Sequence, residues 1–182
     1  MSNYRRVAIG RTVFFTVNTQ QRRKLLTTSL GRQCLRFAIE QTRAELPFSI
    51  VAFVLLPDHL HTIWELPQTS TNFSLRWQKI KAAFSKRWNQ EGGTRFPISE
   101  SREARGETGI WQRRFYEHTC RDEDDLKRCV DYIHINPVKH QLVTKTAEWP
   151  WSSFHRYVDL GEYDTEWGDS RYWRGDEFRD FD

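Results

Sequence analysis

Ile50-Val51-Ala52-Phe53-Val54-Leu55-Leu56-Pro57-Asp58-His59-Leu60-His61-Thr62-Ile63-Trp64 is the stretch that decides the fold of this 182-residue chain. An apolar, β-branched run meets a Pro-Asp turn and resumes as a second run. The pattern predicts two strands, Phe48 to Leu56 and His59 to Leu66, paired as a hairpin because so few residues join them. Side chains alternate along a strand, so His59 and His61 share one face. Two imidazoles on one face can share a cation. An isolated His-x-His is more often a pair of solvent-facing strand histidines, so this pair needs partners elsewhere in the chain.

Outward from the hairpin, the other elements follow from composition and period. Arg11 to Thr19 is β-branched and aromatic and reads as a strand. Thr28 or Ser29 caps a helix that runs to about Leu46, where Pro47 ends it. Within Ser70–Asn89, Phe73, Trp77, Ile80, Lys81 and Phe84 recur at helical steps. Residues 90–108 lack a period and read as a mobile loop. Ile110 to Cys120 reads as a fourth strand. The acids from Asp122 to Asp125 suit a helix start, and the helix continues from Leu126 to about Asn136, where Pro137 stops or kinks it. The segment from Glu148 to Phe154 reads as an aromatic loop packed back on the domain. The order is βαββαβ plus one helix, which predicts an α+β, ferredoxin-like fold with an antiparallel sheet. The expected division is a domain over 1–157 and an acidic, aromatic tail over 158–182.

Composition narrows the function classes. The chain is 38% hydrophobic and 14% aromatic, with eight tryptophans, so disorder throughout is excluded. No apolar run approaches the roughly 18–20 residues that span a bilayer, and the first residues lack the apolar core of a signal peptide. Cys34, Cys120 and Cys129 are odd in number and widely spaced, fitting neither a disulfide framework nor a zinc knuckle, and read as free thiols in a reducing cytoplasm. Residues 1–146 hold 24 Lys and Arg against 14 Asp and Glu, a balance of +10; residues 147–182 hold 4 against 10, a balance of −6. The basic body points to a polyanionic partner, and the acidic tail to a segment that can cover the same surface.

On the last helix, Tyr132 and Asn136 are four apart and share a face. Alone, each has an ordinary reading: a packed helix tyrosine, a helix-end asparagine. His134 and His140 read as satisfied core or surface histidines. Beside a metal-bound phosphate, however, a tyrosine oxygen is a competent nucleophile. It would leave a covalent phosphotyrosine and release a hydroxyl, with a divalent cation polarising the phosphate. The Asn136 carbonyl can complete the coordination. Oxygen ligands suit Mg²⁺ or Mn²⁺, and the imidazoles tilt the choice toward Mn²⁺.

His59-Leu60-His61 after an apolar strand resembles the HUH motif of single-tyrosine transposases. Trp111-Gln112-Arg113-Arg114-Phe115-Tyr116-Glu117-His118, Arg121-Asp122 and the run from Asp131 to His140 resemble one bacterial branch, the REP-associated tyrosine transposases. Tyr4-Arg5-Arg6 and the segment from Trp149 to His155 are similar to that branch too, so the resemblance covers roughly residues 4–157. It implies a ferredoxin-like fold and metal-dependent cleavage of single-stranded DNA, with His59 and His61 as metal ligands and Tyr132 as nucleophile. Asn136 stands where the wider superfamily often has a glutamine ligand. The implied substrate is a repetitive extragenic palindrome, a DNA hairpin flanked by a GTAG-type tetranucleotide. The implied enzyme is cytoplasmic and either a monomer or a homodimer.

Candidate phosphate contacts are Arg5, Arg6, Arg11, Arg22, Arg23, Lys24, Arg76, Lys79, Arg113, Arg114 and Lys139. Arg5 and Arg6 are also candidates for reading guanine. Trp64, Trp77 and Trp111 fit core faces. The alternative is a catalytically silent hairpin-binding protein with a regulatory role; it would need the basic surface but neither the histidine pair nor Tyr132. A metal hydrolase and an RNA-binding ferredoxin-like module are more distant alternatives.

Overall fold

A computed structural model describes residues 10–173. Four strands form one antiparallel sheet in the order β2-β3-β1-β4: β1 Thr12–Asn18, β2 Ser49–Leu55, β3 His59–Glu65 and β4 Tyr116–Thr119. β3 is central, and its register places His59 opposite Asn18 and His61 opposite Thr16 on β1. Five helices accompany the sheet: α1 Ser29–Glu45, α2 Phe73–Gln90, α3 Glu100–Glu103, α4 Glu123–Lys139 and α5 Phe154–Asp159. This is the α+β, ferredoxin-like arrangement expected from the element order.

Strand alternation divides the sheet between two cores. Val13, Phe15, Val17, Leu60 and Trp64 face α1 and α2, where Leu35, Ala38, Trp77, Ile80 and Phe84 meet them. Phe14, Ala52, Val54 and Ile63 face the other way, onto Leu126, Cys129, Val130, Tyr132 and Ile133 of α4. Both faces of β3 are therefore covered, and every residue from His59 to Trp64 is buried. Trp64 stacks on Trp77 with ring centroids 4.4 Å apart. α1 starts where Thr28 accepts a hydrogen bond from the Gly31 amide, as its sequence predicts. Among the described residues, no helix is long and apolar enough to cross a membrane.

Three elements differ from their expected form. The fourth strand is only Tyr116–Thr119, not Ile110 to Cys120. Ahead of it the chain still follows β1, with Gln112 N–H donating to Asn18 O at 3.0 Å and Trp111 bridging Thr19. Regular pairing stops because Lys81 takes the Gln112 carbonyl at 2.8 Å while Trp111 turns into the core against Phe84. The 90–108 segment contains α3, and Phe96 joins the α1/α2 core. α4 passes through Pro137 to Lys139, because proline deletes one hydrogen bond near the helix end while His140 N–H still reaches Asn136 O at 2.9 Å.

The outer edge of β2 is closed by the chain after α4. Leu55 N–H donates to Trp151 O and Ser153 N–H to Phe53 O, both at 2.8 Å, and the Trp149 indole donates to Leu55 O at 2.9 Å. This protects an otherwise open strand edge. Beyond α5, Tyr163 and Trp167 stack on Phe154 and join the core beneath α4. The described part of the acidic segment thus packs on the flank of α4 that carries Asp131 and His134, away from β3.

Candidate active site

The site lies where β3 meets the last two turns of α4. On α4, Asp125, Cys129, Tyr132 and Asn136 recur at steps of four, three and four, so all turn toward the sheet. His59 and His61 reach the same space from β3. Their ring centroids are 4.9 Å apart, and the Tyr132 ring lies 5.2 Å from His61 and 5.8 Å from Phe14. The two histidines and Tyr132, about 70 residues apart in sequence, therefore meet within a single chain.

Each imidazole is held at one nitrogen. His59 Nδ1 contacts Asp58 Oδ1 at 2.6 Å, and His61 Nδ1 contacts Thr16 Oγ1 at 2.8 Å. Asp58 is steadied in turn by Arg22, whose Nε lies 3.0 Å from Oδ2. Both rings are left with Nε2 as the available ligand atom, an outer-shell arrangement typical of metal-binding histidines. Asn136 Nδ2 donates to Tyr132 O at 3.0 Å, which directs Oδ1 the other way. Among the described residues, His61 Nε2 and Asn136 Oδ1 are buried with no hydrogen-bond partner. Buried polar atoms without partners are costly, and a cation between these two would satisfy both. The donor set fits a divalent metal held by His59, His61 and Asn136.

The electrostatics agree. Burial holds the His61 imidazole well below the usual histidine range, and His59 and His140 push the same way. Burial also lowers His59, against the pull of Asp58. Rings kept neutral at neutral pH are ready ligands. Burial lowers His140 to about 4, with His59 and Lys139 adding to the effect. The Lys139 ammonium sits 4.8 Å from the Tyr132 ring centroid.

Sequence reasoning missed the outer shell. Asp58 reads as a turn residue and Thr16 as a strand residue, yet each holds one imidazole at Nδ1. His140 reads as an ordinary histidine and lies 5.0 Å from His59. The one available signal was Asp58 directly before His59.

The candidate phosphate contacts fare unevenly. Arg5 and Arg6 fall outside the described residues. Lys24, Arg113 and Arg114 are exposed, and Lys139 is half-buried beside Tyr132. Arg22 is exposed but engaged by Asp58 and Asn18, and Lys79 is exposed and paired with Glu45 at 2.6 Å. Arg11 donates to Leu66 O at 2.8 Å, and Arg23 to Gly109 O at 2.5 Å while its guanidinium covers Phe96. Arg76 requires a correction. It is 1% exposed and donates to the carbonyls of Leu46, Asn72 and Pro47, so it ties the α1–β2 turn to the start of α2 and is not a surface charge.

Residues 12–136 match the family model described as transposase IS200 like. The chain belongs to this transposase family. It is 45% identical to the REP-associated tyrosine transposase of Escherichia coli K12 over 92% of its own length and 91% of that protein. A Haemophilus influenzae protein that carries the same name provisionally is 41% identical over 92% of the chain and 94% of the relative. Among solved structures, a REP-associated tyrosine transposase bound to a REP hairpin superimposes with a TM-score of 0.71 at 43% identity, covering 96% of each chain. The transposase is therefore an enzyme of the HUH tyrosine kind, and its ferredoxin-like sheet is that of its relatives.

Proposed function

We propose that this transposase nicks single-stranded DNA at hairpins of repetitive extragenic palindromes, through a covalent bond between Tyr132 and a DNA phosphate. The observation that carries the reading is the convergence of Tyr132 on His61 and Asn136, whose ligand atoms are buried and orphaned. The solved relative that holds a REP hairpin supports the substrate class. A GTAG-type tetranucleotide beside the hairpin is the flanking sequence we expect, read in the cytoplasm where chromosomal DNA is exposed.

His59, His61 and Asn136 would hold Mg²⁺ or Mn²⁺, which supplies Lewis-acid polarisation of the scissile phosphate and screens its negative charge. The chain's own residues do the rest. Tyr132 gives up its phenolic proton to solvent as Oη attacks phosphorus, the Tyr132 O–P bond forms, and the bond to the leaving sugar oxygen breaks. The released oxygen takes up a proton as a hydroxyl. The phosphotyrosine keeps the energy of the broken diester, so a second hydroxyl can reverse the step and transfer the strand without ATP. Lys139 places a positive charge beside Tyr132, where it would attract an approaching phosphate. Asp58 and Thr16 keep the imidazoles from turning.

Tyr132→Phe is expected to abolish nicking while hairpin binding persists. A labelled hairpin should form a protein adduct stable on a denaturing gel with the wild type and none with the variant. Persistent nicking by the variant would remove Tyr132 from the role, and nicking without any adduct would favour a metal-activated water instead. Wild type that binds the hairpin without nicking it at any metal concentration would favour the silent regulatory reading.

One chain contains both halves of the site, which supports cleavage in cis by a monomer. Mixing Tyr132→Phe with His61→Ala should then restore no activity. Restoration would mean that two copies exchange α4.

A further inference from the structure

We propose a second cation site at the foot of α4, formed by His118, Asp125 and Cys129 with the Cys120 thiol beside them, for a borderline-soft divalent ion of the zinc type. It shares no residue with the Tyr132 site and differs from it in containing sulfur.

The site joins the end of β4 to the first turns of α4. One ligand atom from each of His118, Asp125 and Cys129 lies within 4.8 Å of the other two. His118 Nε2 is 2.9 Å from Asp125 Oδ2 and 3.1 Å from Oδ1. Cys120 and Cys129 are fully buried in the same core cluster. The thiols look widely spaced in sequence, but the β4–α4 turn brings them together. A tetrahedral zinc ion has bonds of about 2.0–2.3 Å, which sets ligand atoms roughly 3.3–3.8 Å apart. The widest spacing therefore needs to close by only about 1 Å, while His118 and Asp125 need to part by a few tenths of an ångström. Imidazole, carboxylate and thiolate donors suit zinc, whereas Mg²⁺ avoids sulfur.

The surroundings orient the ligands. Arg121 holds Asp125 Oδ2 through its backbone N–H at 2.9 Å and its Nε at 3.1 Å, which fixes the carboxylate beside the His118 ring. Asp125 N–H is capped by Asp122 Oδ1 at 2.8 Å. Arg121 and the positive end of α4 oppose a cation, and Asp122, Glu123, Asp124 and Asp125 outweigh them. His118, with a quarter of its side chain exposed, gives an entry path. On binding, His118 offers its Nε2 lone pair with the ring proton on Nδ1, and the Cys129 thiol gives up its proton to solvent. Cys129 precedes Tyr132 by three residues, so the bound ion would pin the helix that presents the nucleophile.

The test uses the full chain, purified under reducing conditions, stripped with a chelator and titrated with Co²⁺. Wild type should develop a near-ultraviolet thiolate-to-cobalt charge-transfer band, which the sulfur-free Tyr132 site cannot produce. His61→Ala should keep the band, and Cys129→Ala and His118→Gln should lose it. Zn²⁺ should raise the melting temperature of wild type and of His61→Ala but not of His118→Gln, a half-buried position that keeps the test open if Cys129→Ala fails to fold. No band in wild type, or an undiminished band in both ligand variants, would overturn the site. Loss of the band in Cys120→Ala would make that thiol the fourth ligand, and its retention would leave water in that place; either result requires the three-residue site to be present.

Discussion

Asp58 shows how much one residue decides. Its carboxylate is held low because His59 and Arg22 outweigh the effect of burial, and as an anion it orients the His59 ring from the Nδ1 side. Asp58→Ala should keep the fold and lower metal affinity about 10- to 100-fold, the usual cost of losing an outer-shell carboxylate. The measurement is the Mn²⁺ concentration for half-maximal nicking, which should rise while the rate at saturating metal changes less. Arg76 is the opposite case, a basic residue whose work is structural. Arg76→Ala uncovers two carbonyls at the α1–β2 turn and one at the start of α2, and should cost about 2–3 kcal/mol in denaturant unfolding. Hairpin affinity of the folded variant should stay near that of wild type. Unchanged stability with weakened binding would return Arg76 to the DNA-contacting set.

At the scale of the element, α4 carries two chemistries on two faces. The inward face presents Tyr132 and Asn136 to the histidine pair. The opposite flank buries His134 against Ser153, Phe154, Tyr157 and Tyr163. Burial lowers His134 to about 3 from its ordinary 6.5, with Arg156 and His155 adding to the effect. As pH falls, the unfolded chain therefore takes up this proton before the folded one. Stability is complete above pH 6.5 and is lost below it, at about 1.4 kcal/mol per pH unit until about pH 3. His134→Gln lowers stability at neutral pH but should flatten the fall between pH 6.5 and 4 relative to wild type. Parallel melting curves across that range would set the assignment aside. The start of α4 was legible because four acids cluster there. Its end was not, since Pro137 costs one hydrogen bond locally and the packing of Val138 and Pro137 keeps the last turn helical.

For the whole molecule, the charge asymmetry raises the question of what the acidic C-terminal segment does. Its described part is bound in place by the stacking of Tyr163 and Trp167 and by the pairing of Lys145 with Glu166 at 2.6 Å. Truncation after Tyr157 removes that packing, so a loss of stability would obscure any gain in rate. Truncation after Trp173 is the cleaner test. It removes residues 174–182, which hold two arginines and four acids, a balance of −2. If this segment competes with DNA for the basic body, its removal should speed nicking at low salt and the gain should shrink as salt screens the charges. Slower or unchanged nicking would leave the segment without a self-inhibitory role.

The sequence by itself determined the order of the four strands and three long helices and the pairing of β2 with β3. Strand alternation, proline punctuation and helical periods are local properties, each visible within a few residues. It also determined which residues could do the chemistry, because His59-Leu60-His61, Tyr132 and Asn136 have fixed faces on their own elements. Only the tertiary structure decided that these faces meet, because that depends on α4 crossing the sheet on the side opposite α1 and α2. It alone exchanged Arg76 from surface to interior, shortened β4 around Lys81, and gave Asp58 and Thr16 their place behind the two imidazoles. Those outcomes depend on which polar group finds a partner after packing, and no local pattern encodes that choice.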